Sequence, residues 1–481
     1  MAELHDLTAL EQAAAIRTRE VSPADLVEHY LARIDRLSAD VGAFVTVTDD
    51  LARKQAKLAQ SQHQSQHESP HKSSHGADPL TLFGVPTAIK DLNMTAGVRT
   101  TFGSATMADN VPDASDEVVL RIERAGMISL GKTNTPEFGS PCYTEPDVAP
   151  PARTPYDLER MAGGSSGGAG AAVAAGLVPV AHGSDGGGSI RIPASCCGLF
   201  GLKPSRGRIS GGPVYGDPIG LGTSGSLART VRDAAAMLDV MAGPATGDPF
   251  WAAPLPTGET YLGWCEREPG RRRIARFSRP VIADVAVHPE CLEAYENAAD
   301  LLVRLGHDVE DISVPIPPDA VATFETCWSV LSALAPAPSG TEAMLRPLTR
   351  WLHERGRAVS GPQFGLAVGE LRRIAAQALV TLAPYDAVLT PTLAQPPLRV
   401  GEIRDDDDPA RDFENQKAFT PYTAAWNLTG MPAVSLPLHT TPGGLPVGVM
   451  LAGRPGEDHR LLALAAQVEA AAPWYERLPK W

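Results

Sequence analysis

At 481 residues, 43% hydrophobic and 20% charged, the chain carries ample apolar material for a large enzyme core, which excludes a disordered chain. The formal net charge of -14, with no run rich in lysine or arginine, removes the electrostatic footprint of a nucleic-acid binder. No apolar stretch approaches the length of a membrane span, and the opening MAELHDLTALEQ lacks a basic-then-apolar leader, so no membrane partner and a cytoplasmic location are expected.

In chain order, the first sixty residues read as helical. Leu26, Tyr30, Ile34 and Leu37 fall at helical spacing behind Ser22, an N-cap, and Pro23, suited to a first turn. Residues 59–79, AQSQHQSQHESPHKSSHGADP, are polar and low in complexity, and a solvated linker over 61–79 is expected. His63, His67, His71 and His75 recur there every fourth residue, but Pro70 interrupts any helix that would align them for a metal. From residue 80 short apolar strands, glycine-rich turns and amphipathic helices alternate, the pattern of an α/β protein. DEVVLRIERA (116–125) reads as a helix, GMISLG as a strand, and ARTVRDAAAMLDVMAG as a helix capped by Thr230. Further on, PECLEAYENAADLLVRLGHDVEDISVPI gives helix, turn and strand. DDDDP at Asp405–Pro409 reads as an exposed acidic loop. MPAVSLPL and GLPVGVMLAG read as paired strands before a last helix from Asp458.

The six cysteines, Cys142, Cys196, Cys197, Cys265, Cys291 and Cys327, form no CxxC pair and read as buried free thiols. Three short motifs match by chance. GMISLGKT (126–133) fits a phosphate loop, but the helix precedes it, the strand lies inside it and Pro136 follows. GSSGG (164–168) fits a hydrolase nucleophile elbow, but polar, irregular PYDLERMAG replaces the apolar strand that elbow needs. GLGTSG (220–225) fits a dinucleotide fingerprint without a parallel-sheet strand before it.

One constellation survives, from Ala162 to Arg208. Its first glycine-serine run, GGSSGG, leads straight into an Ala/Val stretch suited to a tightly packed buried helix rather than into a linker. Its second, SDGGGSIR, places three glycines before Ser189, where backbone N–H groups can converge on a developing oxyanion. A serine so placed needs a base, and His182, Asp185 and Lys90 are the candidates. Lys90 follows Val85, Ala88 and Ile89, and apolar surroundings would free a neutral amine; an exposed lysine paired with Asp91 is the plainer reading.

GVPTAIKD, GKTNTPEFG, GGSSGGAGAA and GSDGGGSIRIPASCCGLFGLKPSRGR together resemble the amidase signature family of Ser-cisSer-Lys hydrolases, most of all its bacterial nylon-oligomer and urethane hydrolases. GSLARTVRD, YDAVLTPT, NLTGMPAVSLP and GLPVGVMLAG extend the likeness from about residue 80 to the end, leaving 330–370 apart. The resemblance implies a large twisted mixed β-sheet between α-helices, with residues 1–60 as a helical segment packed on one catalytic domain, 80–481. It implies Ser189 as nucleophile, Ser165 as the serine preceded by a cis peptide bond, Lys90 as base, and Gly186, Gly187, Gly188 and Ser189 as oxyanion donors. Asp185 and Arg191 would hold the loops. It implies a small amide or carbamate as substrate, no metal or organic cofactor, and a monomer or homodimer.

Specificity is expected in EFGSPCYTEP and in a variable segment near 324–370, with Phe138, Ser140, Cys142, Gly163, Gly164, Cys327 and Trp328 as pocket candidates; core packing explains the bulky ones equally well. Two other functions stay open. One is the glutamine-hydrolysing A-type subunit of a tRNA-dependent amidotransferase, and a more distant one is an NTP-dependent enzyme using Lys132.

Overall fold

The computed structural model describes residues 3–68, 81–214 and 216–479. Helix Ala9–Thr18 starts on a capping box between Thr8 and Glu11, and helix Pro23–Val41 on one between Ser22 and Asp25 with Pro23 at its first turn. The amino-terminal segment is not helical throughout. Phe44–Val47, β-branched and aromatic, forms strand β1. The next helix, Asp49–Glu68, runs eight residues into the expected linker, because glutamine and glutamate favour helix and no glycine or proline stops the chain before Pro70. Ala52, Ala56 and Ala59 anchor it on one face. Residues 69–79, with His71 and His75, lie outside the described residues.

The remaining strands are β2 (Pro86–Lys90), β3 (Ile128–Thr133), β4 (Val180–Asp185), β5 (Phe200–Lys203), β6 (Thr223–Ala228), β7 (Arg273–Arg276), β8 (Asp308–Asp311), β9 (Ala387–Pro391), β10 (Ala433–Thr440) and β11 (Pro446–Gly453). They form a three-stranded sheet, β1-β3-β2, and an eight-stranded mixed sheet, β4-β6-β5-β10-β11-β9-β7-β8. β9, β7 and β8 run parallel and the other pairs of the large sheet antiparallel. With helices packed on both sheets this is the α/β architecture expected. β2 and β4 face each other where the sheets meet, and that seam frames the site.

The glycine-alanine helix after GGSSGG, Gly167–Ala174, is buried at every residue. A Cβ on Gly168 would lie 2.3 Å from the backbone nitrogen of Asn134, just beyond β3, so only glycine lets helix and strand approach so closely. Two of the three chance motifs resolve as ordinary structure. GMISLGKT is a turn followed by β3, and Lys132 is buried there, donating to Asn93 O, Thr95 Oγ1 and Thr100 Oγ1, out of reach of a nucleotide. GLGTSG leads into antiparallel β6, not into a helix. The acidic run is largely engaged: Asp406 pairs with Arg346 and Arg404, Asp405 with Arg411, and Asp408 caps helix Pro409–Phe419.

Candidate active site

β2 ends on Lys90, and β4 ends on Asp185 and releases the loop that carries Ser189 into helix Arg191–Cys196. Ser165 lies one loop away, after a cis peptide bond from Gly164. The two loops are tied together, since Ser166 N–H donates to Ser189 O at 3.0 Å and Ser166 Oγ to Ser184 O at 3.2 Å.

Lys90 is not paired with Asp91. Its side chain is fully buried, and Nζ lies 2.8 Å from Ser165 Oγ and 3.2 Å from Ser184 O. Burial strips the ammonium of its hydration and pulls its pKa down to about 7, against the opposing attraction of Asp185. A neutral amine at neutral pH is therefore available beside Ser165. Asp91 points the other way, accepting from Thr101 N and Thr101 Oγ1 at 2.9 and 2.6 Å and lying 3.9 Å from buried Lys132.

The loop between β4 and the next helix is organised by Asp185. Its carboxylate accepts from Gly188 N at 2.8 Å and Ile190 N at 3.1 Å, and takes a two-pronged grip from Arg191, Nε at 2.9 Å and a terminal nitrogen at 2.8 Å. Arg191 also donates to Asn427 Oδ1 and Thr423 O. Burial alone would raise the Asp185 carboxyl, but the Arg191 guanidinium overrides it and holds the group well below the usual carboxylate range.

This arrangement corrects one expectation. The Gly188 N–H is spent on Asp185 and turned inward, so Gly188 is not a free oxyanion donor. The N–H groups of Gly186, Gly187 and Ser189 have no acceptor among the described residues. Gly188 serves the turn instead, at φ +138° with Thr423 Oγ1 2.4 Å from where a Cβ would sit.

Gly187, Ser189, Ser140 and Cys142 line one pocket, closed on its other sides mainly by apolar groups from distant segments, Val281, Ile282, Ile316, Phe324, Trp328, Phe413, Ala424 and Leu428, with Gln416, Thr420 and the Glu325–Lys417 ion pair as its polar part. Trp328 stacks on Phe324 with ring centroids 5.7 Å apart, and its ring edge lies 3.6 Å from where a Cβ on Gly187 would be. Gln416 accepts from Cys142 N at 3.2 Å and so fixes the 140–145 loop against helix Pro409–Phe419. Burial pushes the Cys142 thiol well up, which leaves it an unionised wall group.

The other pocket candidates lie elsewhere. Cys327, on helix Ala320–Ala333, is fully buried in an apolar cluster and does not line the pocket, although its neighbour Trp328 does. Phe138 stands at φ 49° with its N–H donated to Phe102 O, outside the pocket walls. Gly163 and Gly164 sit behind the floor, where a Cβ on Gly164 would meet the Tyr143 backbone at 2.8 Å. Asn427 and Thr423 hold the Ser189 loop as well; Asn427 opens the stretch NLTGMPAVSLP, and nothing local in the sequence marks Thr423. The wall residues at 281–282, 316 and 413–428 carry no local signal.

A buried amine, two hydroxyls and three N–H groups without an acceptor among the described residues thus lie together beside one pocket. The Amidase family model matches residues 25–462. A 6-aminohexanoate-cyclic-dimer hydrolase of Paenarthrobacter ureafaciens is 36% identical, over 98% of this chain and 96% of its own. A structure of 6-aminohexanoate cyclic dimer hydrolase complexed with substrate superposes with a TM-score of 0.89 at 32% identity, covering 99% of both chains. A bacterial aryl acylamidase of the amidase signature family gives 0.86 at 26%, covering 99% of this chain and 98% of its own. The chain belongs to the amidase signature family and is a hydrolase acting on carbon–nitrogen bonds.

Proposed function

We propose that the chain hydrolyses small uncharged amides bearing an apolar group, through an acyl-enzyme on Ser189 with Ser165 and Lys90 as its proton relay. The observation that carries this reading is the fully buried Lys90 amine 2.8 Å from Ser165 Oγ, one loop contact away from the half-buried Ser189 on the pocket floor. Neutral Lys90 takes the Ser165 proton, and Ser165 takes the Ser189 proton as Oγ attacks the carbonyl carbon. The oxyanion is met by the free N–H groups of Gly186, Gly187 and Ser189. The relay returns the proton to the departing amine nitrogen, the C–N bond breaks, and water then repeats the sequence to release the acid.

Amide oligomers, as in the named substrate of the cyclic-dimer relative, and anilides, as the name of the aryl acylamidase suggests, are the substrate classes supported by the Phe324 and Trp328 wall. The same apolar wall argues against the primary carboxamide of glutamine as substrate. A panel of amides, anilides, esters and carbamates, run beside Ser189→Ala, tests the reading. Hydrolysis of apolar amides or anilides is expected from the wild type, with a loss of about 10^4-fold or more in the variant. Unchanged turnover in Ser189→Ala overturns it.

A further inference from the structure

The Lys90 backbone is paired with Thr133 of β3 on one side and faces β4 on the other. β2 and β4 are neighbours, yet no backbone ladder bond joins them among the described residues. Side chains span the seam instead. Thr87 Oγ1 donates to Val180 O at 3.0 Å, and the Lys90 N–H donates to His182 Nδ1 at 3.4 Å. A backbone N–H can only donate, so Nδ1 is bare, the ring proton sits on Nε2, and Nε2 donates to Ser224 Oγ on β6 at 3.1 Å. One hydrogen-bonded chain thus crosses from β2 through β4 to β6, with the imidazole fully buried at its centre.

His182 and Ser184 are two residues apart on β4, and the Ser184 carbonyl receives the Lys90 amine at 3.2 Å. β4 therefore holds the lysine twice, by its backbone through His182 and by its amine through Ser184. We propose that His182 is a positioning residue that sets the depth of Lys90 and so the reach of its amine to Ser165. This rests on the role of Lys90 as base. It also removes His182 from the candidate bases, since both ring nitrogens are committed away from the pocket. Burial first, then the charges of Lys90 and Lys132, hold its pKa down at about 3, so the neutral ring persists over the range in which Lys90 titrates.

Three substitutions separate positioning from bulk. His182→Asn keeps an acceptor near the Nδ1 position, His182→Gln reaches only toward Ser224, and His182→Leu offers neither. Expected for Leu and Gln is a fall in kcat of about tenfold or more with KM within about twofold, and for Asn a kcat within about threefold of wild type. A His182→Leu enzyme with wild-type kcat, or three variants whose kcat falls in step with their thermal midpoints, overturns the proposal. If the variants do not fold, nitrogen-15 imidazole spectra of the wild-type enzyme decide it: an Nδ1–H tautomer, or protonation of His182 near pH 6, overturns it. Lys90→Met measured alongside distinguishes the two readings, because a normal His182→Leu beside a dead Lys90→Met sinks only the positioning role.

Discussion

The floor of the pocket and its walls differ in what they are made of. The floor and the backbone behind it, residues 163–168 and 185–191, are built mostly from glycine, serine and one arginine–carboxylate knot, held by short-range hydrogen bonds and by two distant polar residues, Thr423 and Asn427. The walls are bulky and mainly apolar, with the Glu325–Lys417 pair, Gln416 and Thr420 among them, and they are brought together from segments around residues 281, 316–328 and 413–428. Small residues allow backbones and hydroxyls to approach within hydrogen-bond distance, which chemistry requires. Large ones exclude water and read the shape of a substrate, which selection requires.

If that division holds, floor substitutions act on turnover and wall substitutions on binding. The largest effect is expected at Lys90. Lys90→Met should lower kcat by about 10^3-fold while the enzyme stays folded, because methionine fills much of the buried stem. In the wild type kcat should rise about tenfold per pH unit below about 7 and level off above, since the amine is a base only when unprotonated and burial sets its pKa there. A pH–rate profile flat from pH 5 to 8 breaks the floor half of the comparison.

The paired serines come next. Ser165→Ala removes the hydroxyl bonded to Lys90 and should cost about 10^2-fold or more in kcat. Ser166→Ala keeps the backbone bond to Ser189 and loses only the Ser184 contact, so a loss of about tenfold or less is expected. Equal losses measured in the two would show that both hydroxyls serve structure alone.

Arg191→Met leaves Asp185 buried without its guanidinium and should destabilise the fold by about 3–5 kcal/mol, read as a lower denaturant midpoint. Last, Trp328→Ala should raise KM about tenfold for an anilide and leave kcat within about threefold. A Trp328→Ala enzyme that lost turnover at unchanged KM would move the tryptophan from the walls to the floor.

The same division explains what could be read from the chain. Ser165 and Ser189 stand out because GGSSGG and SDGGGSIR are runs of small residues of the kind that close approach dictates, as at Gly168 against Asn134, whereas Lys90 lies in GVPTAIKD, where only the family resemblance sets it above His182 and Asp185. The Pro23–Val41 helix is legible from its Ser22 cap, Pro23 at its first turn and its apolar spacing. Strand β1 is hidden in the sequence, because its four-residue β-branched run lies between two longer helical patterns. The sequence points to Cys327 and gives no sign of Val281, because which face of a helix or loop lines the pocket is set by elements far away in the chain. The orientation of the Gly188 N–H depends on where a carboxylate three residues earlier points, and composition does not encode that.

The Asp185 knot also has a consequence for how the loop behaves in deuterated solvent. Amides outside helices and strands ordinarily exchange quickly, but those of Gly188 and Ile190 are donated to a carboxylate that is 0% exposed. Gly186, Gly187 and Ser189, between and before them, have no acceptor among the described residues. Protection should therefore alternate along five consecutive residues, slow at 188 and 190 and fast at 186, 187 and 189. The fast positions are the proposed oxyanion donors, and their slowing on addition of a bound acid product would report occupancy of the loop without any turnover.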